Sequence, residues 1–330
     1  MIQHPAIMAL LLSSFLITAM SLYASWYGIR ILLHWDISSG SELQLSLERR
    51  TYLISTILAY TLFFQILSFF LLIYTTDSIH SLFTGAMCAA GSLGANVYGY
   101  PLLILKLANT LFAGVWLTFN HLDSKGYDYP LVRRKYGLLL GLTVLLLIEM
   151  LLQYRYFINL KADLITSCCG SLFSPEKRGI AGEIAAFPAK PAMIFFTCAF
   201  AAQLASGAFS LLRNRGWYLV AATTAAFFLT ATVALISFIS LYFYELPTHH
   251  CPFCILQKEY GYIGYILYGC LIGGFITGVA GGAAENFKGV KSLAGIIPQF
   301  QRRATLASMG FNCGFTLIIL ARILTTSFRL

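Results

Sequence analysis

Eight apolar stretches divide the chain, at residues 6–34, 51–75, 101–122, 137–160, 191–212, 217–243, 255–281 and 304–326. Each is long enough to cross a bilayer, which takes about 20 apolar residues in a helix. Helices are expected throughout, because a segment in lipid must satisfy its backbone N–H and C=O groups internally. The eighth stretch is the most interrupted, by Asn312, Cys313 and Arg322. The opening Met1-Ile2-Gln3-His4-Pro5 has no basic residue run and no evident small-residue cleavage site follows, so the first stretch is expected to be a span rather than a signal peptide. The pattern predicts an all-α fold, a polytopic membrane helix bundle of about eight transmembrane helices.

Composition agrees with this pattern. The chain is 58% hydrophobic and 11% charged, against roughly 25% charged in soluble domains. Membrane lipid is therefore an expected partner. The formal charge of +9 does not point to nucleic acid, because the basic residues sit in short loops between apolar stretches. There they act as an orientation signal, since cytoplasmic loops are enriched in Lys and Arg. Arg49 and Arg50 follow the first stretch, with Arg30 nearby. Lys125, Arg133, Arg134 and Lys135 follow the third, Arg213 and Arg215 the fifth, and Lys288, Lys291, Arg302 and Arg303 the seventh. The loops at 76–100 and 244–253 hold neither Lys nor Arg, and the long loop at 161–190 mixes four with acids. Both termini are thus expected outside.

That orientation sorts the cysteines. Cys88, Cys168, Cys169, Cys251 and Cys254 fall in outer loops, while Cys198, Cys270 and Cys313 lie within spans and read as small packing residues. The outer side of a bacterial inner membrane, the expected location, is where disulfides form and persist. Cys251-Pro252-Phe253-Cys254 stands where a polar turn meets an apolar run, and proline is favoured as the first residue of a helix. The arrangement predicts Cys251 at a helix cap and Cys254 in its first turn, where the helix dipole favours a thiolate. His249, His250 and Lys258 add positive charge nearby. Redox exchange, half of a metal site and a structural disulfide all remain open for this spacing.

Cys168-Cys169 is the second motif. Adjacent cysteines close only a strained, labile ring, or act separately; vicinal thiols also bind soft metals. Cys88 lies in a loop of small residues, Gly85 to Asn96, which reads as a closely packed loop. Inside the spans, Lys106 and Arg155 read as snorkelling side chains. Glu149, near mid-bilayer, implies either a proton path or a polar contact between helices.

From 137 to 281 the order of parts resembles the four-helix core of the vitamin K epoxide reductase-like family. A span is followed by a long outer loop with a cysteine pair, two spans joined by a tight turn, and Cys-x-x-Cys opening a fourth span. The string Cys-Pro-Phe-Cys-Ile-Leu-Gln-Lys is also similar to the first cysteine motif of the DsbB disulfide oxidases, with Lys258 where that family has an arginine near the quinone. The resemblance implies a three-span segment at 1–136, a four-helix redox core at 137–281, and a cytoplasmic loop with a last span at 282–330. It implies a thiol–disulfide oxidoreductase with Cys251, Cys254, Cys168 and Cys169 as reacting groups. Lys258, His249 and His250 would lie near a quinone cofactor, with no metal required. The partner would be a thioredoxin-fold or other thiol protein on the outer face. Binding or transport of a soft metal, and a non-catalytic membrane subunit, are the alternatives.

Overall fold

The computed structural model describes residues 4–37, 39–161, 166 and 180–329. Among them, eight helices are long and apolar enough to cross a membrane: Pro5–His34, Glu42–Leu82, Gly99–Asp123, Val132–Ile158, Ala189–Arg213, Trp217–Tyr244, Ile263–Phe287 and Ile297–Thr325. Eight such helices fit an integral membrane protein, and the all-α bundle expected from the pattern is present. The regular elements are α1 (Pro5–His34), α2 (Glu42–Ser78), α3 (Ala89–Leu93), α4 (Gly99–Asp123), α5 (Val132–Ile158), α6 (Ile180–Ala186), α7 (Ala189–Arg213), α8 (Trp217–Ala234), α9 (Ser240–Tyr244), α10 (Ile263–Ala283) and α11 (Ile297–Thr325).

Local chemistry sets several of these boundaries. Pro5 opens α1, where its missing N–H has no intrahelical use. Asn214 and Gly216 both adopt left-handed backbone (φ 52° and 85°), which makes the tight turn from α7 into α8. Between α8 and α9 the chain passes through one π turn, Leu235–Ile239, before Glu245 at φ 57° ends the helix.

The chain forms two compact units. The first comprises Met1–Ile73, Asn96–Leu160 and Asn286–Ile297; the second comprises Tyr74–Ala95, Lys161–Glu285 and Pro298–Leu330. In the first, α1 and α4 pack against α5. Ile17, Ala24 and Ile31 recur on α1 at seven-residue intervals, and they meet Trp116, Leu139, Leu142 and Leu146 in a buried cluster. The span Val132–Ile158, which the family resemblance assigns to a four-helix core, belongs to this unit.

In the second unit α8 packs against both α7 and α10. Gly278 and Gly282 let α10 approach closely. A Cβ at 278 would come within 2.5 Å of Thr224 Oγ1, and one at 282 within 2.8 Å of the Trp217 carbonyl. Phe196, Phe227 and Phe315 meet at ring-centroid distances of 5.5–6.2 Å.

Two polar side chains of the spans find their partners inside the protein. Arg322 does not disrupt the last span, because its guanidinium donates to the Tyr242 and Phe243 carbonyls (3.2 and 3.0 Å) and to Glu245 Oε1 (3.1 Å). Those carbonyls lie at a helix end, where the last C=O groups lack intrahelical partners. Lys106 does not snorkel. Its side chain is 0% exposed and forms an ion pair of 2.6 Å with Glu149.

Candidate functional site

Three cysteine sulfurs meet in the second unit. Cys88, Cys251 and Cys254 are all buried, and their Sγ atoms lie within 4.8 Å of one another. Cys88 Sγ and Cys251 Sγ lie 3.6 Å apart. A disulfide bond measures about 2.05 Å, so this pair is in contact and unbonded.

The Cys251–Cys254 segment is not the start of a long helix. Cys254–Leu256 and Lys258–Tyr260 form two short 3₁₀ turns, separated by Gln257 in extended backbone (ψ 163°). Gly261 and Tyr262 then take left-handed conformations (φ 62° and 57°), and α10 begins only at Ile263. The expected placement of Cys251 at a helix cap is therefore overturned. The helix dipole acts within the first turn, and Cys254 precedes that turn by nine positions (263 − 254). The proline favours a helical start locally, but Gln257 in extended backbone ends that turn, and the left-handed pair Gly261–Tyr262 ends the next.

Side chains hold this non-helical segment. Tyr244, at the end of α9, donates its hydroxyl to the Cys251 carbonyl (2.5 Å) and accepts the Ile255 N–H (2.9 Å). Tyr268, on α10, donates to the Pro252 carbonyl (2.6 Å). Gly264 permits the close packing: a Cβ there would sit 3.0 Å from the Ile255 carbonyl carbon and oxygen. A backbone segment without regular hydrogen bonding must satisfy its polar groups in this way or lose stability.

Cys88 arrives from a separate part of the chain. It precedes α3 in extended backbone, and its sulfur accepts the Ala90 N–H at 3.4 Å. Asp77 Oδ1 accepts the Ala89 N–H (3.2 Å) and Gln257 Nε2 (3.1 Å), while Gln257 Nε2 also donates to the Met87 carbonyl (2.9 Å). Gln257 thus clamps the Cys88 loop to the Cys251–Cys254 turns. The small residues of the loop have a function in packing. Gly85 has φ 88°, and a Cβ there would lie 2.6 Å from the Thr166 carbonyl; Thr166 N–H in turn donates to the Thr84 carbonyl at 2.9 Å. The loop is closely packed, as its composition suggested. It also delivers a cysteine that the sequence reading left out of the site.

His249 joins the sulfurs, with Nε2 3.4 Å from Cys254 Sγ. Its ring packs edge-on against Tyr244, centroids 4.6 Å apart, and Tyr244 packs likewise against Tyr260 at 5.0 Å. Burial, and next the neighbouring Cys254 sulfur, push the Tyr260 phenol above its ordinary pKa. His250 is directed elsewhere: its buried ring donates from Nδ1 to the Ile236 carbonyl at 2.9 Å, within the π turn. Lys258 lies on the second 3₁₀ turn with an exposed side chain, in contrast to the buried sulfurs. Cys168 and Cys169 lie outside the described residues. Among the cysteines within spans, Cys198 is exposed, while Cys270 and Cys313 are partly buried.

Two chemistries suit this arrangement. Sulfurs in van der Waals contact exchange disulfides through attack of a thiolate on a neighbouring S–S bond. Three sulfurs also fit a soft cation: metal–sulfur bonds of about 2.3 Å in a tetrahedral site place sulfurs about 3.8 Å apart. No known family model, curated protein or solved structure matches the chain.

Proposed function

We propose that this protein is a membrane thiol–disulfide oxidoreductase, with its sulfur site on the outer face. The contact of Cys88 Sγ with Cys251 Sγ at 3.6 Å, beside Cys254, carries the reading. A Cys-x-x-Cys pair supplies a disulfide that opens and closes, and a third sulfur in contact supplies the exchange partner. Attack by Cys88 on Cys251 of a Cys251–Cys254 disulfide forms the 88–251 bond and releases Cys254 as thiolate. His249, 3.4 Å from Cys254, then donates a proton or hydrogen bond to that leaving sulfur.

Electrons enter from a dithiol partner on the outer face, by way of Cys168 and Cys169. Thr166, two positions before Cys168, pairs with Thr84, four positions before Cys88, and this supports that order of exchange. The electron acceptor is a membrane quinone, which takes up two electrons and two protons. Tyr244, Tyr260 and His249 provide rings beside Cys254 for a planar acceptor. The absence of Lys and Arg from loops 76–100 and 244–253 supports the outer location.

A second reading has one observation in its favour. The donor set of three cysteine sulfurs with His249 Nε2 near Cys254 suits a soft cation. Anaerobic mixing of the reduced protein with a soluble short-chain quinone separates the two. The redox reading expects loss of two thiols per quinol formed, abolished in Cys251→Ser and Cys254→Ser. Tight stoichiometric binding of zinc or copper(I), with no quinol formed, would establish the cation reading instead.

A further inference from the structure

The first unit contains a buried charge network that sulfur chemistry does not use. Lys106 of α4 and Glu149 of α5 are 0% and 1% exposed, with Nζ and Oε1 2.6 Å apart. Glu149 Oε2 accepts Gln65 Nε2 from α2 and Asn109 Nδ2 from α4, each at 2.6 Å. Lys106 also donates to Gln153 Oε1 (3.1 Å), and Gln153 Nε2 donates to the Leu10 carbonyl of α1 (2.8 Å). Four helices thus converge on one carboxylate–ammonium pair within the apolar spans.

Such a pair is a costly way to join helices. Desolvation of two charges commonly exceeds their mutual attraction, and apolar residues of similar volume are often at least as stabilising. Two further observations give the pair a use. Asn109 Oδ1 and Thr110 Oγ1 are buried beside it without any hydrogen-bond partner, which marks a place for water or another small proton donor. A second buried pair, Lys135–Asp123 at 2.6 Å, lies on the same two helices. Lys135 and Glu149 are fourteen positions apart on α5 (149 − 135), about 21 Å along a helix. Buried hydroxyls occupy the interval: Ser25 Oγ and Thr143 Oγ1 are 2.8 Å apart, Ser55 Oγ and the Tyr136 hydroxyl 3.3 Å, and Ser21 Oγ has no partner. Among the described residues, Lys106, Glu149, Lys135 and Asp123 are the buried Lys, Asp and Glu side chains. The buried polar side chains of α1 and α2 are hydroxyls together with Gln44 and Gln65.

We propose that this unit conducts protons across the membrane, with Lys106–Glu149 and Lys135–Asp123 as its two stations. At the first, a proton passes from Lys106 Nζ to Glu149 Oε1, one N–H bond breaking as one O–H bond forms. The acid gives its proton to water held at Asn109, which passes it on along the hydroxyls toward Asp123. The amine takes a proton from a second water on the Gln153 side, so one proton leaves for each that enters. Leu139 and Leu142, between the stations, leave gaps among these hydroxyls that transient water must bridge.

The test uses the full chain in proteoliposomes with an entrapped pH dye and a valinomycin-driven potassium diffusion potential. No quinone or thiol reagent is present, so failure here leaves the sulfur reading intact. The unmodified protein is expected to carry protons well above protein-free vesicles, in the direction set by the potential. Because Glu149→Gln alone strands a buried lysine, the double variant Lys106→Leu/Glu149→Leu is used; it is expected to stay folded and lose the flux. Thr143→Val, which keeps the shape and removes one hydroxyl of the interval, is expected to slow it. Flux from the unmodified protein no higher than protein-free vesicles overturns the proposal. So does undiminished flux in both the Thr143→Val protein and the double variant.

Discussion

The sulfur site of the second unit and the charge network of the first solve opposite problems. Around Cys251 and Cys254 the backbone leaves regular helix; Tyr244 and Tyr268 restrain it from outside through its carbonyls and an N–H group, and its own Gln257 ties it to the Met87 carbonyl. Around Glu149 the backbone is helical on every side, and both carboxylate oxygens are held by side chains, Oε1 by Lys106 and Oε2 by Gln65 and Asn109. The first arrangement leaves sulfurs able to change partners with a small turn of a side chain. The second fixes charge in place and moves, at most, a proton. The three sulfurs sit where local structure is short and broken, whereas the buried charges sit among long helices.

The comparison breaks most visibly under single substitutions of the charged pair. Glu149→Leu or Lys106→Leu alone is expected to cost about 3–5 kcal/mol, because one buried charge loses its partner. Thermal denaturation in detergent should show a large loss in each single variant and recovery of most of it in the double. Equal losses in single and double variants would show that the contacts to Gln65, Asn109 and Gln153 matter more than the pair.

The sulfur site should respond in reactivity before stability. Tyr244→Phe removes one donor and one acceptor from the turn, an expected loss of about 1–3 kcal/mol. Maleimide labelling of Cys251 and Cys254 should rise several-fold while helix content by circular dichroism stays the same. Unchanged labelling would mean that Tyr268 and Gly264 packing suffice to hold the turn. Gln257→Leu is a milder change, worth about 1 kcal/mol, and should reduce oxidative cross-linking of Cys88 to Cys251 by uncoupling their loops.

The smallest effect is expected at Arg322. Its ion pair with Glu245 is partly exposed, with 34% and 49% of the side chains accessible, and such pairs contribute under about 1 kcal/mol. Arg322→Lys should therefore leave the melting temperature nearly unchanged. A large drop would assign its weight to the Tyr242 and Phe243 carbonyls, which a lysine cannot reach in the same forked geometry.

Much of the fold was readable along the chain. A run of about 20 apolar residues carries its own instruction to span, and each of the eight predicted stretches overlaps one long apolar helix, although the seventh, expected from 255, begins only at Ile263. Even Arg322 left the last span intact. Local signals misled where they compete with later ones. Pro252 is a good helix opener, but Gly261 and Tyr262 overrule it, and nothing in Cys-Pro-Phe-Cys itself announces the break. Long-range pairing was not legible: Cys88 meets Cys251 across 163 positions, and Lys106 meets Glu149 across 43. For Cys88 a usable signal existed, since the charge pattern put it on the same face as Cys251. For Lys106, the presence of an acid, Glu149, among the ionisable residues of the spans was the hint, and snorkelling was the wrong default once Lys106 and Glu149 proved buried.

The central claim is that Cys88 and Cys251 exchange directly. Its most direct measurement is a non-reducing peptide map of the Cys254→Ser protein after mild oxidation, with free thiols blocked at once. The account expects a Cys88–Cys251 disulfide as the main cross-linked product, lost again in Cys88→Ser/Cys254→Ser. A map in which Cys251 stays alkylated, or pairs only with other molecules while Cys88 remains a thiol, would contradict it.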